Sequence, residues 1–167
     1  MIQVYTGNGK GKTTAALGLA IRAAGAGLRV YIVQFLKGRP YSELASLKKF
    51  RNITLVQCGQ RCFIKNKPKP RDLALAKKGL AKIENAIKKK CYHLIILDEV
   101  NIAMRMGMLE INEVVAVLKK ASAKTEFVLT GRYAPSKIIG IADLVSEIRE
   151  RKHYYRKDVK ARKGIEF

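Results

Sequence analysis

The chain has no tryptophan, only two histidines and three cysteines, and 13 acidic residues against 34 Lys and Arg. Cys58, Cys62 and Cys91 are odd in number. A lone Cys-x3-Cys lacks the second ligand pair of a structural zinc site, so free, mostly buried thiols are expected. His93 opens an apolar run and His153 lies in a basic stretch; neither has a triad partner near it in sequence, and neither is assigned chemistry. No apolar run approaches the ~20 residues that cross a bilayer. An apolar strand begins at Ile2 and a glycine turn at Thr6, which leaves no room for a signal peptide, so a cytoplasmic protein without membrane association is expected. With 48% hydrophobic residues and neither linker nor low-complexity tract, residues 1–167 are expected to form a single compact domain. A basic, irregular segment over about 150–167 closes it.

The shortage of acids leaves a net charge of +21. It is unevenly spread: between Lys65 and Lys90 ten Lys or Arg face two acids, and a second cluster runs from Arg149 to Lys163. Such a surplus suits anionic partners, whether nucleic acid, membrane surface, acidic protein or phosphate-rich substrate. A solvated lysine surface is the competing account, because the first cluster falls on an amphipathic helix with its lysines outward.

What the chain does contain is an anion-binding signature at its start. Ile2-Gln3-Val4-Tyr5 is an apolar strand that runs into Thr6-Gly7-Asn8-Gly9-Lys10-Gly11-Lys12-Thr13-Thr14 and then an Ala-Leu helix. Glycines let successive backbone N–H groups converge on a polyphosphate, a lysine supplies a point charge, and a Thr hydroxyl can ligate Mg2+ at the positive end of the helix. Gly7 to Gly11, Lys12, Thr13 and Thr14 are therefore candidate nucleotide ligands. The strict G-x-x-x-x-G-K-[ST] pattern requires glycine at position 6, where this chain has Thr6, so the loop is a shortened variant.

Hydrophobic patterning lays out the rest. The spacing predicts strands at Arg29–Phe35, Ile53–Val56, Tyr92–Glu99, Glu126–Thr130 and Leu144–Ile148, and helices at Lys12–Ala24, Ser42–Phe50, Arg71–Lys89, Glu110–Ala121 and Ser136–Ala142. Gly25 and Gly27 are expected to supply the left-handed turn that ends the first helix. Near-continuous apolar strands alternating with helices indicate an α/β fold with a mostly parallel six-stranded sheet, and with the glycine loop at its start a P-loop NTPase-like (RecA-type) domain is expected. The fourth strand delivers Asp98 and Glu99 at its end, where at least one acid can hold Mg2+ or its waters beside the loop. Arg132 follows the fifth strand at the crevice edge, either as a triphosphate contact or as a surface turn residue.

Several blocks together carry a resemblance: the loop with Ala15-Ala16 and Arg22-Ala23, Val33-Gln34-Phe35-Leu36-Lys37-Gly38, Leu97-Asp98-Glu99, Thr130-Gly131-Arg132, Ala142 to Glu147, and Lys160 to Glu166. In order and from end to end the chain resembles the P-loop class of ATP:corrinoid adenosyltransferases, in which the shortened loop is usual. The resemblance implies transfer of the 5'-deoxyadenosyl group of ATP to the Co(I) of a reduced corrinoid, with Mg2+ and release of triphosphate. The nucleophile then belongs to the substrate, so no catalytic Ser, Cys or His is required. It further implies that Lys12, Glu99 and Arg132 act catalytically, that Thr13 and Glu99 (Asp98 less so) hold the metal, and that Arg22 and Arg132 contact phosphates. ATP is expected to lie reversed, presenting C5'. Aromatic residues after the third strand hold the corrinoid in that family; here, without tryptophan, the candidate is Phe63, with a core-facing role as its alternative. The basic loop can face the corrinoid's phosphate-bearing tail or an acidic electron-donor flavoprotein. A homodimer is the expected assembly. A P-loop ATPase or kinase, and a nucleic-acid-binding ATP module using Tyr154-Tyr155 as stacking platforms, are the alternative functions.

Overall fold

The computed structural model describes residues 1–61 and 67–167. Six strands, β1 (Ile2–Thr6), β2 (Val30–Phe35), β3 (Ile53–Cys58), β4 (Leu94–Asp98), β5 (Glu126–Thr130) and β6 (Leu144–Glu147), form one sheet in the order β3-β2-β4-β5-β1-β6. Every pairing is parallel. The expected α/β architecture is thus present, with the sheet parallel throughout. Among the described residues, six helices connect the strands: α1 (Lys12–Gly25), α2 (Ser42–Leu47), α3 (Pro70–Lys88), α4 (Val100–Arg105), α5 (Ile111–Lys119) and α6 (Ser136–Gly140).

Period-two alternation divides the strands between two cores. Val30, Ile32, Leu94, Ile96 and Val128 pack with Ala16, Leu17, Ala20 and Leu47 of α1 and α2 on one face. Val33, Phe35, Ile95, Leu97, Phe127 and Leu129 pack with α3, α4, α5 and Ile138 of α6 on the other. Covered on both faces, β2 and β4 are buried at every position, which is why both read as near-continuous apolar runs, interrupted only by Gln34 and Asp98.

Local chemistry fixes the element ends. Gly27 adopts φ +80, and Gly27 N–H donates to Ala24 O while Leu28 N–H donates to Ala23 O, the paired bonds that close a helix with a left-handed residue. Gly25, the second expected turn residue, remains the last residue of α1. At the start of α3, Pro70 occupies a first-turn position that needs no N–H, and the buried Asp72 carboxylate accepts the Lys69 N–H at 2.9 Å and the Gln60 side chain at 2.5 Å. Two elements escaped the pattern reading: α4, and a 3-10 turn at Tyr154–Lys157 within the segment expected to be irregular. α4 follows the end of β4 after a single residue, so its apolar residues read on from the strand, and the four-residue turn is too short to show a period.

Candidate active site

The carboxyl ends of β1, β2, β4 and β5 converge on one crevice, the usual ligand position in an open parallel sheet. Backbone strain gathers along it: Leu36 after β2, Glu99 after β4 and Tyr133 beyond β5 all carry φ near +60 without being glycine. Residues held in that region cost energy and persist where surroundings over-determine them.

The phosphate loop owes its glycines to two different causes. A Cβ on Gly7 would stand 2.5 Å from Ile148 O, and one on Gly9 would stand 2.8 Å from the same atom and 2.9 Å from Arg149 O. Those two glycines admit the chain's own backbone beyond β6, to which Gly9 N–H donates a 2.7 Å hydrogen bond. Gly11 has open space where its Cβ would be, but its φ of +119 turns the chain into α1. Lys12, 7% exposed, donates to Gly7 O at 2.8 Å and Gly9 O at 2.6 Å, so its ammonium is held inside the loop curve. Burial lowers its pKa below the usual lysine range; the Glu99 carboxylate opposes that shift and Arg132 adds to it.

Asp98 is the centre of the site. Fully buried at the end of β4, its Oδ1 accepts the hydroxyls of Thr13 (2.8 Å) and Thr130 (2.7 Å), and its Oδ2 accepts the Gln34 amide (3.2 Å) and the Lys37 ammonium (2.8 Å). Four donors fill the roughly four lone-pair positions of a carboxylate. β5 lies between the acid-bearing β4 and the loop-bearing β1, and contributes Thr130, whose hydroxyl also accepts the Glu99 N–H at 2.9 Å. Lys37 reaches Glu43 at 3.7 Å besides Asp98. Burial alone would depress its pKa, but Asp98, Glu43 and Glu99 outweigh that effect and raise it, so it stays charged.

Glu99 caps α4 from a left-handed conformation, next to Gly131, whose own φ of +129 strains any residue with a side chain and whose Cβ would crowd Asn101 and Glu99 at 3.1 and 3.3 Å. Burial first, and then the neighbouring Asp98, raise the Glu99 pKa, with Lys37, Lys12 and Arg132 pulling it back. The carboxylate therefore lies in the field of three cations. Arg132 is exposed on the crevice rim, where it makes no hydrogen bond among the described residues.

The structure brings together Lys12, Thr13, Asp98, Glu99 and Arg132, and it does not bring Arg22 to them. Arg22 stands exposed ten residues beyond Lys12, about 15 Å along the helix axis, where its charge acts on Tyr5. Phe63 and Cys62 lie outside the described residues. His93 accepts the Arg29 N–H at the opposite end of the sheet, and His153 caps the 3-10 turn, so neither enters the crevice. Cys58 is a buried free thiol and Cys91 a half-buried one. Sequence reasoning passed over Gln34, Lys37 and Glu43 as site residues. The apolar strand ending in Gln34-Phe35, followed by Leu36-Lys37, was the available signal, and only the Gln34–Asp98 register of β2 and β4 turns it into a contact.

Thr13, Asp98 and Glu99 present hard oxygen donors beside a polyphosphate cradle, a set that fits Mg2+, which is commonly held by few carboxylates and completed by phosphates. With Asp98 saturated by four donors, Thr13 and Glu99 are the side chains with lone pairs to offer. No cluster of three or more His, Cys, Asp or Glu side chains able to hold a metal ion occurs among the described residues.

A parallel α/β sheet with a glycine loop, a Lys-Thr pair and an acid-bearing strand two places away defines a P-loop nucleotide-binding protein. Over residues 1–167 the sequence matches the model of one such family, described as ATP:corrinoid adenosyltransferase BtuR/CobO/CobP, and the chain belongs to that family. It is 36% identical over 171 residues to a corrinoid adenosyltransferase of Sinorhizobium sp, covering all of this chain and 80% of that protein. It is 34% identical over 169 residues to one from Pseudomonas aeruginosa (100% and 83% coverage) and 32% identical over 167 residues to one from Escherichia coli K12 (100% and 85%). No helix among the described residues is long and apolar enough to cross a membrane.

Proposed function

We propose that this chain, acting as one catalytic domain over residues 1–167, transfers the 5'-deoxyadenosyl group of ATP to the Co(I) of a reduced corrinoid and releases triphosphate, in adenosylcobalamin formation. The observation that carries the reading is the hydrogen bond from the Thr13 hydroxyl to the fully buried Asp98. It points the hydroxyl proton inward and leaves the oxygen lone pairs toward the crevice, beside the loop and Lys12.

In the reaction a C5'–O bond breaks as a Co–C bond forms. The cobalt electron pair enters the new bond and the leaving oxygen carries its electrons away on triphosphate. The chain's residues work by placement and by charge. The loop from Gly7 to Gly11, with Asn8, offers the triphosphate its backbone N–H groups other than that of Gly9, which donates to Ile148 O, and the Thr13 and Thr14 amides at the start of α1 extend that cradle. Lys12 meets the growing negative charge; its place in the loop already costs it solvation, so exchanging Gly7 O and Gly9 O for phosphate oxygens improves its environment. Arg132, unbonded on the rim, is free to turn onto a phosphate. Bound Mg2+, held by Thr13 and Glu99, would supply further neutralisation of the departing triphosphate.

Further parts of the proposal are a homodimer, an acidic flavoprotein as electron donor, and a cytoplasmic setting. The net charge of +21 supports the acidic partner. The exposed edge strand β6, with Leu144 and Val145 each more than two-fifths exposed, supports self-association. Incubation with ATP, Mg2+ and chemically reduced cobalamin should give a light-sensitive adenosylated product and triphosphate, and Lys12→Ala should abolish it. Release of orthophosphate or ADP in place of triphosphate would overturn the assignment.

A further inference from the structure

Lys10 sits inside the glycine loop, yet its ammonium is directed away from the loop's interior. It donates to Ile165 O at 3.1 Å and to Glu166 Oε1 at 3.0 Å, across 155 residues of sequence. The same segment reaches α2, where the Ser42 hydroxyl donates to Phe167 O at 2.9 Å. Ser42 adjoins Glu43, which contacts Lys37 and the Gln34 side chain of the Asp98 network. Residues 162–167 therefore bridge the phosphate loop and the first turn of α2.

This bridge is internally braced. Arg162 donates its backbone N–H (2.8 Å) and Nε (3.3 Å) to Glu166 Oε2 and its Nη2 (3.2 Å) to Oε1, while its guanidinium lies 4.8 Å from the centre of the Tyr154 ring. With the Arg162 side chain, the Arg162 backbone and Lys10 all donating to it, the Glu166 carboxyl is held down to about 2, so it is charged throughout the working range of an enzyme. Salt is then the variable that would loosen the pair, and pH is not.

We propose that Lys10 and Glu166 are positioning residues: their ion pair seats residues 162–167 against the phosphate loop as a wall of the nucleotide site, and Lys10 serves that wall and not the triphosphate. This rests on the reading that the site takes ATP. It also reassigns Lys10 from nucleotide ligand to anchor.

Two measurements test it. In steady-state transfer assays, Lys10→Gln and Glu166→Gln should each raise the KM for ATP by about two- to fivefold, the range for an exposed ion pair, with kcat little changed. The double variant should match either single one, and Lys10→Arg should stay near wild type. Without any nucleotide, trypsin should cut after Arg162 and Lys163 faster by a similar factor in both glutamine variants. A direct phosphate role for Lys10 makes the opposite prediction: Glu166→Gln would leave KM unchanged or lower it while Lys10→Gln raises it. That result, or trypsin cleavage unaltered in both variants, would overturn the proposal. If the wild-type protein binds no ATP, the functional reading fails, and the nucleotide-free trypsin comparison still decides whether the pair holds the wall.

Discussion

Replacing Asp98 by Asn changes one oxygen into an NH2 at the most densely bonded point of the site. Oδ2 faces two groups that can only donate, the Gln34 amide and the Lys37 ammonium, whereas Oδ1 faces two hydroxyls that can reverse roles. The new amide must therefore keep its oxygen toward Lys37 and turn its nitrogen toward Thr13 and Thr130. Thr13 then accepts a hydrogen bond in place of donating one, and a lone pair that faced the crevice is used up. Breaking a buried ion pair by neutralising one partner costs about 3–5 kcal/mol when nothing else compensates the survivor. Lys37 retains Glu43 at 3.7 Å and is 15% exposed, so ~2–3 kcal/mol is the better expectation. In a domain of this size that lowers Tm by roughly 4–12 °C. A group that orients a metal ligand typically controls about 10–100-fold in metal affinity, so the Mg2+ concentration for half-maximal transfer should rise by that factor. Thermal unfolding monitored by circular dichroism and a Mg2+ titration of activity measure the two effects separately. An Asp98→Asn protein with wild-type Mg2+ dependence would refute the inward-proton account of Thr13, whatever its Tm.

Glu99→Gln should stabilise the nucleotide-free protein while damaging transfer. The folded pKa of Glu99 lies above the unfolded value of about 4.3, so its contribution is fully favourable below that pH and is lost as pH rises through the folded value. The substitution should therefore raise Tm at neutral pH by about 2–4 °C, for a typical gain of ~1 kcal/mol, and the gain should shrink toward pH 4; an equal gain at both pH values would contradict the burial argument. Gly9→Ala should destabilise, because the Cβ meets the Ile148 and Arg149 backbone, which cannot step aside as a flexible side chain would. Gly18→Ala, within α1 and with nothing within 4 Å of its Cβ, should stabilise by about 0.4–1 kcal/mol, and the opposite signs of the two glycine changes are the check in one melting experiment.

The two halves of the site were unequally legible in the sequence. The glycine loop, Lys12 and Thr13 are local: the chemistry sits in consecutive residues, and a strand before and a helix after give its context. Asp98 and Glu99 were readable as acids ending a strand, but their division of labour was not. Consecutive residues leaving a strand point to different sides, and here Asp98 turns into four donors while the left-handed Glu99 is directed toward Lys12 and Arg132. Lys37 was invisible as a partner because 61 residues separate it from Asp98, and only the side-by-side pairing of β2 and β4 closes that distance. The 160–167 segment failed for another reason. Its sequence has neither apolar period nor strand propensity, and what orders it is a set of ion pairs and backbone contacts to residues 10 and 42, which leave no periodic trace.

The glycines show how a correct motif can rest on an incomplete physical cause. The loop glycines were expected because a polyphosphate needs close access to backbone N–H groups. Gly7 and Gly9 are instead already required by the protein's own chain at Ile148 and Arg149, before any ligand arrives. The cradle is thus shaped by a contact from the far side of β6, and its geometry depends on an edge strand whose residues are all exposed. That dependence ties the loop to the sheet edge and to the segment that follows it, so perturbing β6 should be felt at Lys12. Gly7→Ala, which pushes directly on Ile148, should therefore disturb transfer although it adds a single methyl group.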